Sequence, residues 1–174
     1  MQEILERARS IRLVLFDVDG VLTDGTLFLG DDGQQYKAFN SRDGHGMRML
    51  QDAGVRVGVL TGRSSQVVEH RMRDLGVDLV YQGHRDKLPA LNTLLHEAGE
   101  TAETTAYVGD DVVDLPAMRR VALAIAVQDA HPSLKRHAHW VTALGGGRGA
   151  AREVCELMLE AQDKLDAMLA RYLD

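Results

Sequence analysis

Leu13-Val14-Leu15-Phe16-Asp17-Val18-Asp19-Gly20-Val21-Leu22-Thr23-Asp24-Gly25 is an apolar run that stops on two carboxylates one residue apart and then turns. The run from Ile11 to Phe16 is nearly continuously apolar, the pattern of a strand buried on both faces of a parallel sheet. Asp17 falls at the carboxyl end of that strand, the edge where open α/β sheets bind ligands. If Asp19-Gly20 turns the chain, Asp19 faces the same space. Asp17 is then a candidate nucleophile and Asp19 a candidate proton donor. The plainer alternative is a turn ending a strand, because Asp and Gly dominate turns and so short a motif also arises by chance.

Three further apolar segments end on, or lead into, residue types that handle phosphate. Val55 to Leu60 leads into Thr61-Gly62-Arg63, where a hydroxyl and the amides of a tight turn can hold phosphoryl oxygens at a helix start. An ordinary N-cap reads the same way. Leu79-Val80-Tyr81 is followed by Gln82 to Lys87, and a lysine opening a helix neutralises phosphate as a point charge, although a single Lys usually faces solvent. Thr105 to Val108 runs into Gly109-Asp110-Asp111-Val112-Val113-Asp114, a carboxylate cluster suited to a hard cation such as Mg²⁺. An acidic helix N-terminus, favoured by the helix dipole, is the alternative there.

The order of these pieces resembles the haloacid dehalogenase superfamily of phosphotransferases, whose four motifs match Asp17 with Asp19, then Thr61, then Lys87, then Asp110 with Asp111 and Asp114. A response-regulator receiver combines similar residues in another order, with the acidic pair after the first strand and the phosphoacceptor after the third. Here the third strand ends without such an Asp. Asp17 to Gly25, Lys37-Ala38-Phe39-Asn40-Ser41-Arg42-Asp43-Gly44 and Gly145 to Glu153 further resemble the family of 3-deoxy-D-manno-octulosonate 8-phosphate phosphatases, over roughly residues 10 to 165.

That resemblance implies a Mg²⁺-dependent sugar phosphatase acting through an aspartyl-phosphate, typically tetrameric, serving lipopolysaccharide synthesis. It implies Mg²⁺ held by the Asp17 side chain, the Asp19 carbonyl and the Asp110 side chain, with Asp111 or Asp114 orienting its waters. Thr61 and Lys87 hold the phosphoryl group. Thr23, Asn40, Arg42, Gly62, Arg63 and Arg148 are its candidate substrate contacts, with Arg148 closing the site, across a subunit boundary in one version. Charge argues independently for a cation: each like-charge pair at about 4 Å costs on the order of 4 kcal/mol at an effective dielectric near 20, and a phosphomonoester must approach Asp17 and Asp110. Two competing readings stay open, a phosphatase for a sialic-acid-type 9-phosphate and a non-enzymatic phosphoacceptor domain.

Composition sets the frame. The 174 residues suit one domain, 1–174, large enough to bury about two-thirds of its unfolded surface. A net charge of -6 without Lys/Arg clusters argues against a nucleic-acid partner. The single Cys155 excludes an internal disulfide, the charged N-terminus is unlike a signal peptide, and no apolar run reaches membrane-spanning length, so a cytoplasmic protein is expected.

Strands expected near 11–17, 55–60, 78–81, 105–108, 121–126 and 139–142 alternate with helices near 43–53, 65–75, 86–98, 112–120 and 149–171, predicting an α/β, doubly wound, mostly parallel Rossmann-like sheet. Residues 26–39 read instead as a β-hairpin beside the catalytic edge. The gaps from Asp17 to Thr61 and from Thr61 to Lys87 are used up by these elements and leave no room for a cap domain. The apolar hairpin residues Leu27, Phe28, Leu29, Tyr36 and Phe39 then either cover a neighbouring subunit or pack on their own domain. Gly145 to Gly149 lack a phosphate-loop arrangement and read as a flexible connection. The seven histidines lack acidic partners at metal spacing and are read as non-catalytic.

Overall fold

The apolar run becomes β1 (Leu13–Phe16), buried along its whole length. The structure, a computed structural model, describes residues 1–173. β1 pairs in parallel with β4 (Arg56–Leu60) on one side and β6 (Thr105–Gly109) on the other. With β5 (Leu79–Tyr81), β7 (Leu123–Ala126) and β8 (Trp140–Val141) the sheet has the order β5-β4-β1-β6-β7-β8, every pairing parallel. The chain winds outward from β1 to β5, returns to the centre at β6 and winds outward the other way. The reversal lies between β1 and β6, and a crevice opens at the carboxyl ends of strands at such a point.

Helices on both faces explain why the central strands are apolar throughout rather than alternating. α1 (Gln2–Arg9), α2 (Ser41–Asp52) and α7 (Ala150–Ala161) pack together in one layer. α3 (Gln66–Asp74) is tied beside α2, where Gln51 Nε2 donates to the Leu75 carbonyl at 3.1 Å. α4 (Lys87–Ala98) and α5 (Leu115–Met118) form the second layer, against β4 to β7. Among the described residues no helix is long and apolar enough to cross a membrane.

Three expectations need correction. The helix expected over 149–171 is two, α7 and α8 (Leu165–Ala170), because Asp163 takes the left-handed conformation. The break is pinned by side chains: Gln162 donates to the carbonyls of Ala8 and Ile11, and Lys164 donates to that of Ala53. The helix expected over 112–120 opens as a 3₁₀ turn, Val112–Asp114, in which Asp111 and Asp114 each cap the other's backbone. α1 and the short α6 (Pro132–Lys135) were outside the expected elements; α1 buries only Ile4 and Ala8, too few positions for a periodic signal.

The hairpin is present but shorter than 26–39, with β2 (Phe28–Leu29) antiparallel to β3 (Gln35–Tyr36) and Phe28 opposite Tyr36. It forms its own sheet and leaves Leu27, Phe28, Leu29 and Tyr36 exposed. Phe39 alone of that apolar group packs against the core.

Candidate active site

Asp17 follows β1 directly, and its amide donates to the Val108 carbonyl at 3.0 Å, so it stands beside the end of β6. Lys87, the first residue of α4, does not face solvent. Its ammonium is 2.6 Å from Asp17 Oδ2, 2.5 Å from Asp114 Oδ1 and 3.1 Å from the Tyr107 hydroxyl, with the side chain 1% exposed. Burial pulls the lysine's pKa down, but the carboxylates of Asp17 and Asp114 outweigh it and leave the ammonium raised. Lys87 is therefore a fixed positive charge at the floor of the crevice.

Asp114 is saturated. Its Oδ2 accepts from the amides of Asp110 and Asp111 at 3.0 and 3.2 Å, and its Oδ1 accepts from Lys87 and from the Tyr107 hydroxyl at 2.8 Å. The Asp110 carboxylate, by contrast, accepts no hydrogen bond among the described residues. Burial, reinforced by the Asp114 carboxylate, pushes Asp17 up to about 6. Burial, then Asp114 and Asp17, pushes Asp110 up to about 8.

Asp17, Asp110 and Asp114 each offer an oxygen within 4.8 Å of the others. Three acids served by one ammonium leave negative charge uncompensated, and an all-oxygen donor set fits a hard divalent cation such as Mg²⁺. With Asp114 committed to four donors, Asp17 and Asp110 are the side chains with oxygens to give.

Gly20 makes this closeness possible. It sits at φ +89°, and a Cβ there would overlap the Asp110 carboxylate. The loop around it is organised by Thr23, whose hydroxyl accepts from the amides of Gly20 and Gly25 at 3.3 and 3.2 Å.

The Gly145–Gly149 segment is not the flexible connection its composition suggests. A Cβ on Gly146 would overlap the Gly20 carbonyl, the Gly147 amide donates to the Val21 carbonyl at 2.9 Å, and Asp129 accepts from the Gly146 amide at 2.9 Å. Glycine serves here to lay one backbone against another. Asp43 completes the clamp by accepting from the amides of Gly149 and Arg152 at the start of α7.

Asp19 is partly exposed and lies between two cations. Lys37, just after β3, pairs with its Oδ1, and Arg63 Nε stands 3.8 Å from its Oδ2. The Lys37 side chain is 3% exposed, so the hairpin strap is anchored on the candidate proton donor.

Asp17, Asp19, Arg63, Lys87 and Asp110 line a cleft of about 500 Å³ that also includes Thr61, Gly62, Arg85 and Asp111. Asp17, Asp19, Thr61, Lys87 and Asp110 are thus brought together in one cleft. Of the expected substrate contacts, Gly62 and Arg63 line the cleft, whereas Thr23, Asn40, Arg42 and Arg148 do not. Asn40 caps α2 through the Arg42 amide and donates to the Gly147 carbonyl, and Arg148 reaches Asp24 at 3.5 Å. Thr23 and Asn40 hold the framework of the loops in this chain.

Lys37, Arg85 and Tyr107 are additions that the sequence reading did not single out. Tyr107 carried the one available signal, a phenol in the middle of a fully buried strand, whose hydroxyl needs a partner. A larger cleft of about 830 Å³ beside β5 carries Glu69, Asp78 and Glu97, but among the described residues only Asp17, Asp110 and Asp114 bring their oxygens together.

A haloacid dehalogenase-like hydrolase family model matches residues 77–152. The 3-deoxy-D-manno-octulosonate 8-phosphate phosphatase of Yersinia pestis is 48% identical over 164 residues, covering 94% of this chain and 88% of that protein. The chain belongs to the 3-deoxy-D-manno-octulosonate 8-phosphate phosphatase family. Among solved structures of similar proteins, a probable phosphatase from Pseudomonas syringae superposes with a TM-score of 0.98 at 46% identity, covering 100% of this chain and 99% of that one. The phosphatase of this family from Moraxella catarrhalis, solved with magnesium, phosphate and the sugar acid, has a TM-score of 0.96 at 40% identity, with 99% of each chain covered. The doubly wound sheet, its lack of an inserted cap and the hairpin are thus features of a member of this phosphatase family.

Proposed function

We propose that this chain is a Mg²⁺-dependent phosphomonoesterase that converts 3-deoxy-D-manno-octulosonate 8-phosphate to the free sugar acid and inorganic phosphate, in the supply of lipopolysaccharide precursor. The observation that carries this reading is the meeting of Asp17, Asp110 and Lys87 at the reversal point of the sheet, beside Asp19 and Thr61. The magnesium, phosphate and sugar acid held by the Moraxella relative support it.

The side chains of Asp17 and Asp110 and the carbonyl of Asp19 would hold the cation, with Asp111 at the rim and Asp114 steadying the loop beneath. When bound, Mg²⁺ supplies the positive charge that offsets the carboxylates and draws the phosphoryl oxygens in. A carboxylate oxygen of Asp17 attacks phosphorus, the bond to the sugar oxygen breaks, and its electron pair leaves with that oxygen. Asp19 delivers the proton that turns the leaving alkoxide into a hydroxyl. Asp19 then takes a proton from water, which attacks the aspartyl-phosphate, releases phosphate and returns Asp17 to its starting state. Thr61 and Lys87 hold the phosphoryl oxygens in both halves.

A site without a cap needs cover from elsewhere, and the exposed hairpin supports self-association, as a homotetramer, around it. The same reading assigns the enzyme to the cytoplasm.

Phosphate release from the octulosonate ester, set beside a sialic-acid-type 9-phosphate and other sugar phosphates, tests the assignment. Turnover is expected with Mg²⁺ and not with chelator, and Asp17→Asn should lower it at least about a thousandfold while the thermal unfolding transition is kept. Substantial activity in that variant, or preference for another ester, overturns the reading.

A further inference from the structure

We infer that Arg85 is the residue that binds the carboxylate of the sugar acid, and so sets selectivity for acidic over neutral phosphate esters. The inference rests on the function proposed above, since it names the part of that substrate Arg85 recognises.

Three cations line the cleft, and they are not equivalent. Lys87 is buried between Asp17 and Asp114, committed to the phosphoryl end. Arg63 leans on Asp19 at 3.8 Å, so its charge is partly offset. Arg85 is exposed at the mouth and has no carboxylate partner among the described residues.

Its backbone is held close to the phosphate turn. The Arg85 Cα lies 3.8 Å from where a side chain on Gly62 would begin, and the neighbouring His84 amide donates to the Thr61 carbonyl at 3.1 Å. The guanidinium therefore swings from a fixed root beside the phosphoryl pocket, with a long side chain to span the gap to the far end of the substrate.

A sugar acid phosphate carries one anion at each end of its carbon chain. With the phosphate seated on Thr61, Lys87 and Asp17, the carboxylate must emerge toward the mouth, where Asp19, Asp110 and Asp111 would repel it. An unpaired guanidinium there supplies the compensating charge, and its planar fork suits a carboxylate in a way that a lysine does not.

The test compares kinetics of the Mg²⁺-loaded enzyme on the octulosonate 8-phosphate and on p-nitrophenyl phosphate, which lacks a carboxylate. Arg85→Ala is expected to lower the ratio of kcat/KM for the first ester to that for the second about tenfold, through KM, with Arg85→Lys between the variant and the parent. An unchanged ratio, whether both activities are kept or both fall together, overturns the assignment to Arg85. A parent enzyme that hydrolyses p-nitrophenyl phosphate but not the octulosonate ester overturns the underlying function instead, and this assignment with it.

Discussion

The Tyr107 hydroxyl lies 2.8 Å from Asp114 Oδ1, with both residues wholly inaccessible to solvent, and stands 3.1 Å from the Lys87 ammonium. The phenol rises from the middle of β6 and makes the lysine and the aspartate a three-way node rather than a simple pair. Asp114 has the heavier share, because it also accepts from the two amides that shape the Asp110 loop.

Tyr107→Phe removes one hydroxyl and leaves the ion pair, so it should cost about 1–2 kcal/mol of stability and reduce turnover less than about tenfold. Asp114→Asn takes one of the two countercharges from a buried ammonium and should cost about 3–5 kcal/mol, with weaker Mg²⁺ binding as the Asp110 loop loosens. Urea unfolding of both variants and Mg²⁺ titration check the order, and a larger loss for Tyr107→Phe contradicts the node.

The metal-free site should respond to pH in the opposite sense to a carboxylate whose partners hold its pKa down. Asp17 and Asp110 hold their protons up to about 6 and about 8, against 3.8 for an ordinary Asp. Between those values the folded chain keeps protons that the unfolded chain has lost, so the stability these two groups contribute is complete below about pH 4 and is lost as pH rises through 6 and 8. Mg²⁺ competes with those protons for the same oxygens. At one fixed Mg²⁺ concentration the rise in thermal midpoint over the chelated protein should therefore be larger at pH 8 than at pH 6. Calorimetric scans at the two pH values decide it, and a gain that shrinks toward pH 8 contradicts the carboxylate pair as the metal site.

The sheet and the acids at its edge were legible in the sequence because both are local signals. An apolar run reports burial on two faces, and the residue after it occupies the strand end whatever else the chain does. Asp17, Thr61 and Asp110 needed nothing more. Lys37 and Arg85 carry no such mark, since only the folded chain sets Asp19 opposite the first and brings the second to the cleft. Composition misled at Gly146 and Gly147, where glycine supplies room for the Gly20 carbonyl and for the Thr23–Asp24 backbone rather than freedom. The break at Asp163 was hidden for a related reason: the apolar spacing of α7 continues across it, while Gln162 and Lys164 spend their side chains on distant carbonyls.

The hairpin should be the adhesive surface of the proposed homotetramer. Leu27, Phe28, Leu29 and Tyr36 are between 45% and 65% exposed, apolar, and grouped on one short two-stranded sheet, more than isolated surface residues would leave uncovered. Phe28 and Tyr36 face each other across it, outside the main core. Phe28→Glu with Tyr36→Glu should keep the fold and shift the protein to smaller species in sedimentation velocity, with turnover of the sugar ester falling as the cover is lost. An unchanged sedimentation coefficient removes the hairpin from the interface.

Lys37 links that hairpin to the chemistry. Its ammonium, almost fully shielded, sits on Oδ1 of Asp19, so the strap that leaves the domain as an exposed hairpin returns to hold the proposed proton donor in place. Holding Asp19 matters most where the leaving oxygen is a poor one. A sugar alkoxide cannot depart without a proton, whereas p-nitrophenolate departs readily without one. Lys37→Met keeps the aliphatic stem and removes the charge. It should lower kcat for the sugar ester at least about tenfold more than kcat for p-nitrophenyl phosphate, a split that general loosening of the fold would not produce. Steady-state rates on the two esters measure it directly, and parallel losses would reduce Lys37 to a structural anchor of the hairpin.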